Sequence, residues 1–233
     1  MAELVHREAP SPNWDERQLP VSMVVLHYTG MPDAAGAIAR MCDASAKVSA
    51  HYLIDEDGTV TRLVPEARRA WHAGKSYWRG VTDINSASIG IELVNPGHEW
   101  GYRPFPEAQM ESLIPLLADL IGRHNVPRAN VVGHSDVAPA RKADPGELFA
   151  WDLLARYRLA LPRPDLCVPS PFANDGAFYL ALERFGYDLT EGLAAVRAFQ
   201  RRWRPETIDG VIDGETSAIL FALLLDRDQG KTR

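Results

Sequence analysis

Apolar residues fall into two kinds of pattern along this chain. Short, unbroken runs rich in β-branched residues read as buried strands: Val21 to Thr29 (VSMVVLHYT), stopped by Gly30, Pro32 and Asp33, and Ser88 to Val94 (SIGIELV). His51 to Asp55 and Thr59 to Val64, joined at Asp57 and Gly58, read as a hairpin, and Asn130 to Gly133 reads as a short strand feeding a loop. Helical spacing appears over Ala34 to Cys42. It returns over Glu107 to His124, where Met110, Leu113, Ile114, Leu117, Leu120 and Ile121 follow the i, i+3, i+4, i+7 order and Pro115 is expected to kink the run. These elements predict an α/β fold with a mixed central β-sheet flanked by helices.

The two ends behave differently. Residues 1–20 carry Pro10, Pro12 and Pro20 and no apolar period, so an extended arm is expected. Four prolines between Leu161 and Pro171 predict a linker over 161–171. Beyond it, Phe178 to Phe185, Leu193 to Trp203 and Thr216 to Leu225 have helical periodicity, separated by Gly186 and by the Asp209-Gly210 and Asp213-Gly214 turns. The expected organisation is a main domain over 1–160, with its arm, and a small three-helix domain over 172–228.

Composition narrows the function. A chain of 233 residues with 46% hydrophobic and 24% charged residues is that of a folded globular protein, and its formal net charge of -6 leaves no basic footprint for nucleic acid. Cys42 and Cys167 are far apart, with no Cys-x-x-Cys spacing, so neither a disulfide framework nor a cysteine metal site is indicated. The first twenty residues contain no apolar run of signal-peptide length, and no stretch reaches the ~18 apolar residues of a membrane span. The expectation is a cytoplasmic protein without a membrane-spanning segment. A periplasmic or outer-membrane-anchored protein whose leader has been removed is the alternative.

The densest chemistry lies in the loop GHSDVAPARKADPG, which carries His134, Lys142 and Asp144. An imidazole and a carboxylate ten positions apart can converge across a loop on one metal, and His27, near the end of a strand, can supply a third ligand. Two imidazoles and one carboxylate, with a fourth position left to water, make a catalytic rather than a closed structural zinc arrangement. The alternative is a set of polar residues that merely stabilises the loop. Glu92 shares one face of its strand with Gly90 and Val94, so a buried strand offers a carboxylate to the layer above it. A salt-bridged glutamate would look the same.

The segments VVLHYT, VSAHYLID, RAWHAG, SIGIELVN and GHSDVAPARKADPG, in this order from about Val21 to Trp151, resemble the zinc-dependent N-acetylmuramoyl-L-alanine amidases. That family shares its fold with bacteriophage T7 lysozyme and the peptidoglycan-recognition proteins. The resemblance implies Zn2+ held by His27, His134 and Asp144, Glu92 as general base, and Lys142 stabilising a developing oxyanion. It places Trp71, His72 and Asn85 in a substrate groove. His51 reads as a structural ring near the active-site strand. The implied reaction is hydrolysis of the amide between N-acetylmuramic acid and L-alanine, in peptidoglycan or in (1,6-anhydro)muropeptides. A non-catalytic wall-recognition protein on the same fold is the alternative, expected where a metal ligand is missing, and all three are present. The C-terminal segments AVRAFQRRW and IDGVIDGET resemble the three-helix peptidoglycan-binding type 1 domain, although its usual first-half repeat is not evident.

Overall fold

The computed structural model describes residues 4–164 and 169–228. Eight strands are present: β1 (Arg7–Glu8), β2 (Trp14–Glu16), β3 (Met23–Tyr28), β4 (Tyr52–Ile54), β5 (Val60–Arg62), β6 (Arg68–Ala70), β7 (Ser88–Leu93) and β8 (Val131–Gly133). The helices are α1 (Ala34–Cys42), α2 (Ile84–Ala87), α3 (Gly97–Trp100), α4 (Glu107–His124), α5 (His134–Val137), α6 (Trp151–Arg156), α7 (Asp175–Phe185), α8 (Gly192–Trp203) and α9 (Gly214–Asp228). Six strands form one mixed sheet in the order β1-β5-β4-β7-β3-β8, parallel throughout except for the β4–β5 hairpin.

The central strands read as unbroken apolar runs because both faces of the sheet are covered. On one face Val24, Leu26, Ile89, Ile91 and Val131 pack beneath α4 and α6. Pro115 sits within α4 without ending it. Its ring lies on the exposed side, so the carbonyl four residues earlier, on exposed Glu111, can turn to water. On the opposite face the cover is in two parts. Ala37 and Met41 of α1 meet Leu53, while Met23, Val25 and Val132 join Phe178, Phe185, Phe199 and Trp203 of the C-terminal helices in one core. The gap between these parts opens above the C-terminal ends of β3 and β7.

The N-terminal arm is extended, as its prolines dictate, but it is paired: β1 adds a parallel edge to β5, and β2 pairs antiparallel with β6. Arg17 leaves the arm to donate to the carbonyls of Glu66, Arg68 and Ser88 at 2.7–3.1 Å. In the C-terminal part, Gln200 holds the Asp209-Gly210 turn. Its Nε2 donates to Asp209 Oδ1 and the Val211 carbonyl, and its Oε1 accepts from the Gly210 amide at 2.7 Å. Among the described residues this part adds no strand to the sheet, and its helices merge with the sheet's core. The middle of the expected linker, with Cys167, lies outside the described residues, and Cys42 is a free thiol. Among the described residues no helix is long and apolar enough to cross a membrane.

Candidate metal centre

His27 stands one residue from the end of β3, in register with Glu92 on β7. The same register, carried one step past Gly133 of β8, brings His134 level with it. Asp144 arrives from the loop after α5, anchored where its carbonyl accepts from the Ser135 amide at 2.9 Å. The result is a buried triangle. His27 Nδ1 and His134 Nδ1 are 3.0 Å apart, and Asp144 Oδ2 lies 2.9 Å from the first and 3.0 Å from the second.

Hydrogen bonding behind the triangle settles which imidazole nitrogens carry protons. The Ile84 carbonyl can only accept, so the Ser88 hydroxyl donates to it at 2.6 Å. Ser88 Oγ is then free to accept from His72 Nε2 at 3.1 Å, which leaves His72 Nδ1 bare to accept from His27 Nε2 at 3.0 Å. His134 Nε2 donates to the Ala73 carbonyl, also at 3.0 Å. Both Nδ1 atoms therefore point lone pairs at a carboxylate oxygen. Three acceptors at this range repel one another unless a cation sits among them, and the separations are close to the ~3.3 Å edge of a tetrahedron with metal–ligand bonds of about 2.0 Å. The residues fit a metal ion. Burial, and then the neighbouring His134, lowers the His27 pKa to about 4, which keeps the ring in its ligating form.

A cleft of about 640 Å³ opens over the triangle between α1, α3 and the 141–144 loop. Glu92 and Lys142 both line it. Glu92 Oε2 is buried without a hydrogen-bond partner. Burial, reinforced by the Asp144 carboxylate and opposed by Lys142, pushes the Glu92 pKa well above the ordinary carboxylate value. Lys142 is exposed to the cleft with no carboxylate partner among the described residues. The cleft thus brings together three residues that could hold a metal ion, a buried carboxyl and an exposed lysine.

Of the three expected groove residues, His72 lines the cleft, while Asn85 and Trp71 are not in its wall. His72 touches the cleft but lies mostly beneath His27, its ring packed so closely on β7 that a Cβ at Gly90 would come within 2.5 Å of it. Asn85 is buried, and its Oδ1 accepts from the backbone amides of His72 and Ala73 at 3.0 and 2.7 Å. It thus holds the turn that orients both histidine ligands. Trp71 is partly exposed, donates from Nε1 to Asp15 at 2.7 Å, and is not part of the cleft wall. His51 is structural: its Nδ1 accepts from the Gly90 amide.

Two parts of the site escape the sequence reading. Asp136, within the HSDV turn, accepts from the Gly133 amide, from Tyr187 at 2.5 Å and from Arg202 at 2.9 Å, which ties α5 to the C-terminal helices. At the cleft mouth His98 stacks on Tyr102, and its Nδ1 lies 2.9 Å from the Tyr28 hydroxyl. Its signal is a histidine directly after the Pro96-Gly97 pair, which alone says little.

Comparison with known proteins agrees with this geometry. The profile of the family described as N-acetylmuramoyl-L-alanine amidase matches residues 17–147. The N-acetylmuramoyl-L-alanine amidase AmiD of Escherichia coli (strain K12) is 37% identical over 88% of this chain and 82% of its own length. Its solved complex with anhydro-N-acetylmuramic acid-L-Ala-D-gamma-Glu-L-Lys matches with a TM-score of 0.81 over 90% of each chain. AmpDh3 of Pseudomonas aeruginosa, solved with an anhydromuramic pentapeptide, is 30% identical with a TM-score of 0.76 over 90% of this chain and 92% of its own. The 1,6-anhydro-N-acetylmuramyl-L-alanine amidase AmpD of Enterobacter cloacae is 38% identical over 62% of this chain and 86% of its own length.

Proposed function

The chain belongs to the N-acetylmuramoyl-L-alanine amidase family, and on that premise we propose that it hydrolyses the amide between the lactyl group of N-acetylmuramic acid and L-alanine, using a zinc ion held by His27, His134 and Asp144. The observation that carries this reading is the set of three bare acceptor atoms within 3.0 Å of one another at the floor of a cleft. Zinc bound there would act as a Lewis acid and lower the pKa of a water to about 7. Glu92, its carboxylate unpartnered, takes a proton from the attacking water and returns it to the leaving nitrogen. Water adds to the carbonyl carbon, the C–N bond breaks, and the products are a muramic carboxylic acid and an amine on alanine. Lys142 balances charge that gathers on the carbonyl oxygen. Relatives solved with anhydromuramoyl peptides, and one named for the 1,6-anhydro sugar, support muropeptide fragments as substrate alongside intact peptidoglycan. The filled ligand set favours hydrolysis over wall recognition without cleavage.

Separating ligand from base tests the assignment. Asp144→Ala should lose both zinc and turnover. Glu92→Gln should keep zinc while turnover of an anhydromuramoyl tripeptide falls by roughly 10² to 10⁴-fold. Near wild-type turnover in Glu92→Gln would refute the role given to Glu92, and loss of zinc would make it a ligand.

A further inference from the structure

Several arginines of this acidic protein meet a carboxylate: Arg62 with Glu8, Arg69 with Asp83, Arg103 with Glu56, Arg123 with Glu66 and Arg204 with Asp213. One region departs from that pattern. The cleft over the metal triangle continues across Arg141, Lys142 and Ala143 into a trough of about 580 Å³, whose far wall is the N-terminal half of α8. Four cations line the trough (Arg141, Lys142, Arg197 and Arg201) against one acid, Glu191. Arg141 donates only to backbone carbonyls, those of Ala73 and Lys75. Among the described residues Lys142 and Arg197 have no carboxylate partner, while Arg201 forms a loose ion pair with Glu147 at 3.7 Å. In a chain of net charge -6, four cations against Glu191 and the Glu147 paired with Arg201 leave a local excess of two positive charges beside the cleft, which focuses anions.

We propose that this trough is a second subsite, shared between the 141–143 loop and α8, which binds carboxylates of the peptide stem beyond the scissile amide. The proposal rests on the amidase reading above. The chemistry fits: a γ-linked D-glutamate keeps its α-carboxylate, and the peptide ends in another, so a stem carries at least two anions away from the bond that is cut. Arg197 is the informative residue, because it belongs to the C-terminal helices, is exposed, and takes no part in the metal triangle. The C-terminal helices thus contribute to substrate selection at the active cleft itself.

The test compares Arg197→Glu and the milder Arg197→Gln with wild type on two substrates, an anhydromuramoyl pentapeptide and anhydromuramoyl-L-alanine. The charge reversal should raise KM for the pentapeptide roughly 3- to 10-fold with kcat unchanged, and Arg197→Gln should fall between. KM for anhydromuramoyl-L-alanine should be unaffected, and 0.5 M salt should erase the difference between the proteins. Equal changes on both substrates, or no change on the pentapeptide, would overturn the subsite. If wild type cleaves neither substrate, the amidase reading fails separately. Calorimetric titration of the pentapeptide into the same three proteins then decides the subsite: weaker binding to Arg197→Glu supports it, and equal binding overturns it.

Discussion

Replacing Arg202 with Met should destabilise the protein severely and weaken its hold on metal. Arg202 and Asp136 are both buried, at 9% and 1% exposure. The guanidinium is 2.9 Å from Asp136 Oδ2, donates to the Val131 carbonyl at 3.1 Å, and lies 3.7 Å from the Trp151 ring centre. Met fills similar space but removes the counter-charge, leaving a buried carboxylate with only the Tyr187 hydroxyl and the Gly133 amide. Breaking one side of such a pair costs about 3–5 kcal/mol. For a chain of this size that is a fall in Tm of about 6–20 °C. Because Asp136 holds the Gly133 amide at the start of α5, His134 should also lose its fixed orientation and zinc affinity should fall about 10- to 100-fold. Calorimetry on metal-free and zinc-loaded protein measures both effects. The control is Asp136→Asn combined with Arg202→Met, which removes both charges and should cost at least 1 kcal/mol less than the two single changes summed. A Tm within 2 °C of wild type for Arg202→Met, or strict additivity in the cycle, refutes the reasoning.

Asn85→Ala should lower zinc affinity about 10- to 100-fold by freeing the His72–Ala73 turn, while Asn85→Asp, which keeps the Oδ1 acceptor of both amides, should restore most of it; competition with a chromogenic chelator reads both. Burial holds His51 neutral, with a pKa of about 3 against 6.5 free, so the unfolded chain takes up protons first as pH falls below 6.5. His51 therefore contributes stability above that pH and loses it toward pH 3, by up to about 1.4 kcal/mol per pH unit. Urea midpoints from pH 7 to 4 should show a shallower slope in His51→Gln, and an unchanged slope would discount the residue. A chain ended at Pro164 should fail to fold cooperatively, because Met23, Val25 and Val132 lose their cover. A sharp thermal transition in that chain would show instead that the helices are a detachable unit.

The strands and long helices were legible because their patterns are local. A six-residue run such as MVVLHY needs only two covered faces to be explained, and α1 and α4 occur at the expected residues. The convergence of His27, His134 and Asp144 was legible for a different reason, since they lie in long motifs, two of which end on adjacent strands. The short elements β6, α2, α3 and α6 carry too few residues to show a period. An exposed and a buried imidazole are spelled alike, so the WHAG segment alone does not show that His72, which touches the cleft, also hydrogen-bonds behind His27. Gly90 held the corrective signal: a glycine inside a buried strand marks a close approach, here the ring of His72.

Arg202 was legible too, had the helix been read as strictly as the others. Ala195, Phe199 and Arg202 follow i, i+4, i+7 on the buried face of α8, so an arginine occupies a core position and demands a buried anion. Nothing local could say that the anion is Asp136, 66 residues earlier. The relay behind His27 is less legible still, because its content is the direction of hydrogens. Ser88, His72 and His27 are each able to donate or accept, and the direction is fixed only by the Ile84 carbonyl at the end, which cannot donate. A chain of neutral groups has an advantage over a carboxylate in that position: it aims the His27 lone pair at the metal without adding a second buried anion to Asp144. The net charge of the triangle then stays at one negative unit before a divalent ion binds and one positive unit after. With a divalent ion held there, that residual positive charge would draw electrons from a bound carbonyl, and the neutral relay would preserve an electrophilicity that a second carboxylate would quench.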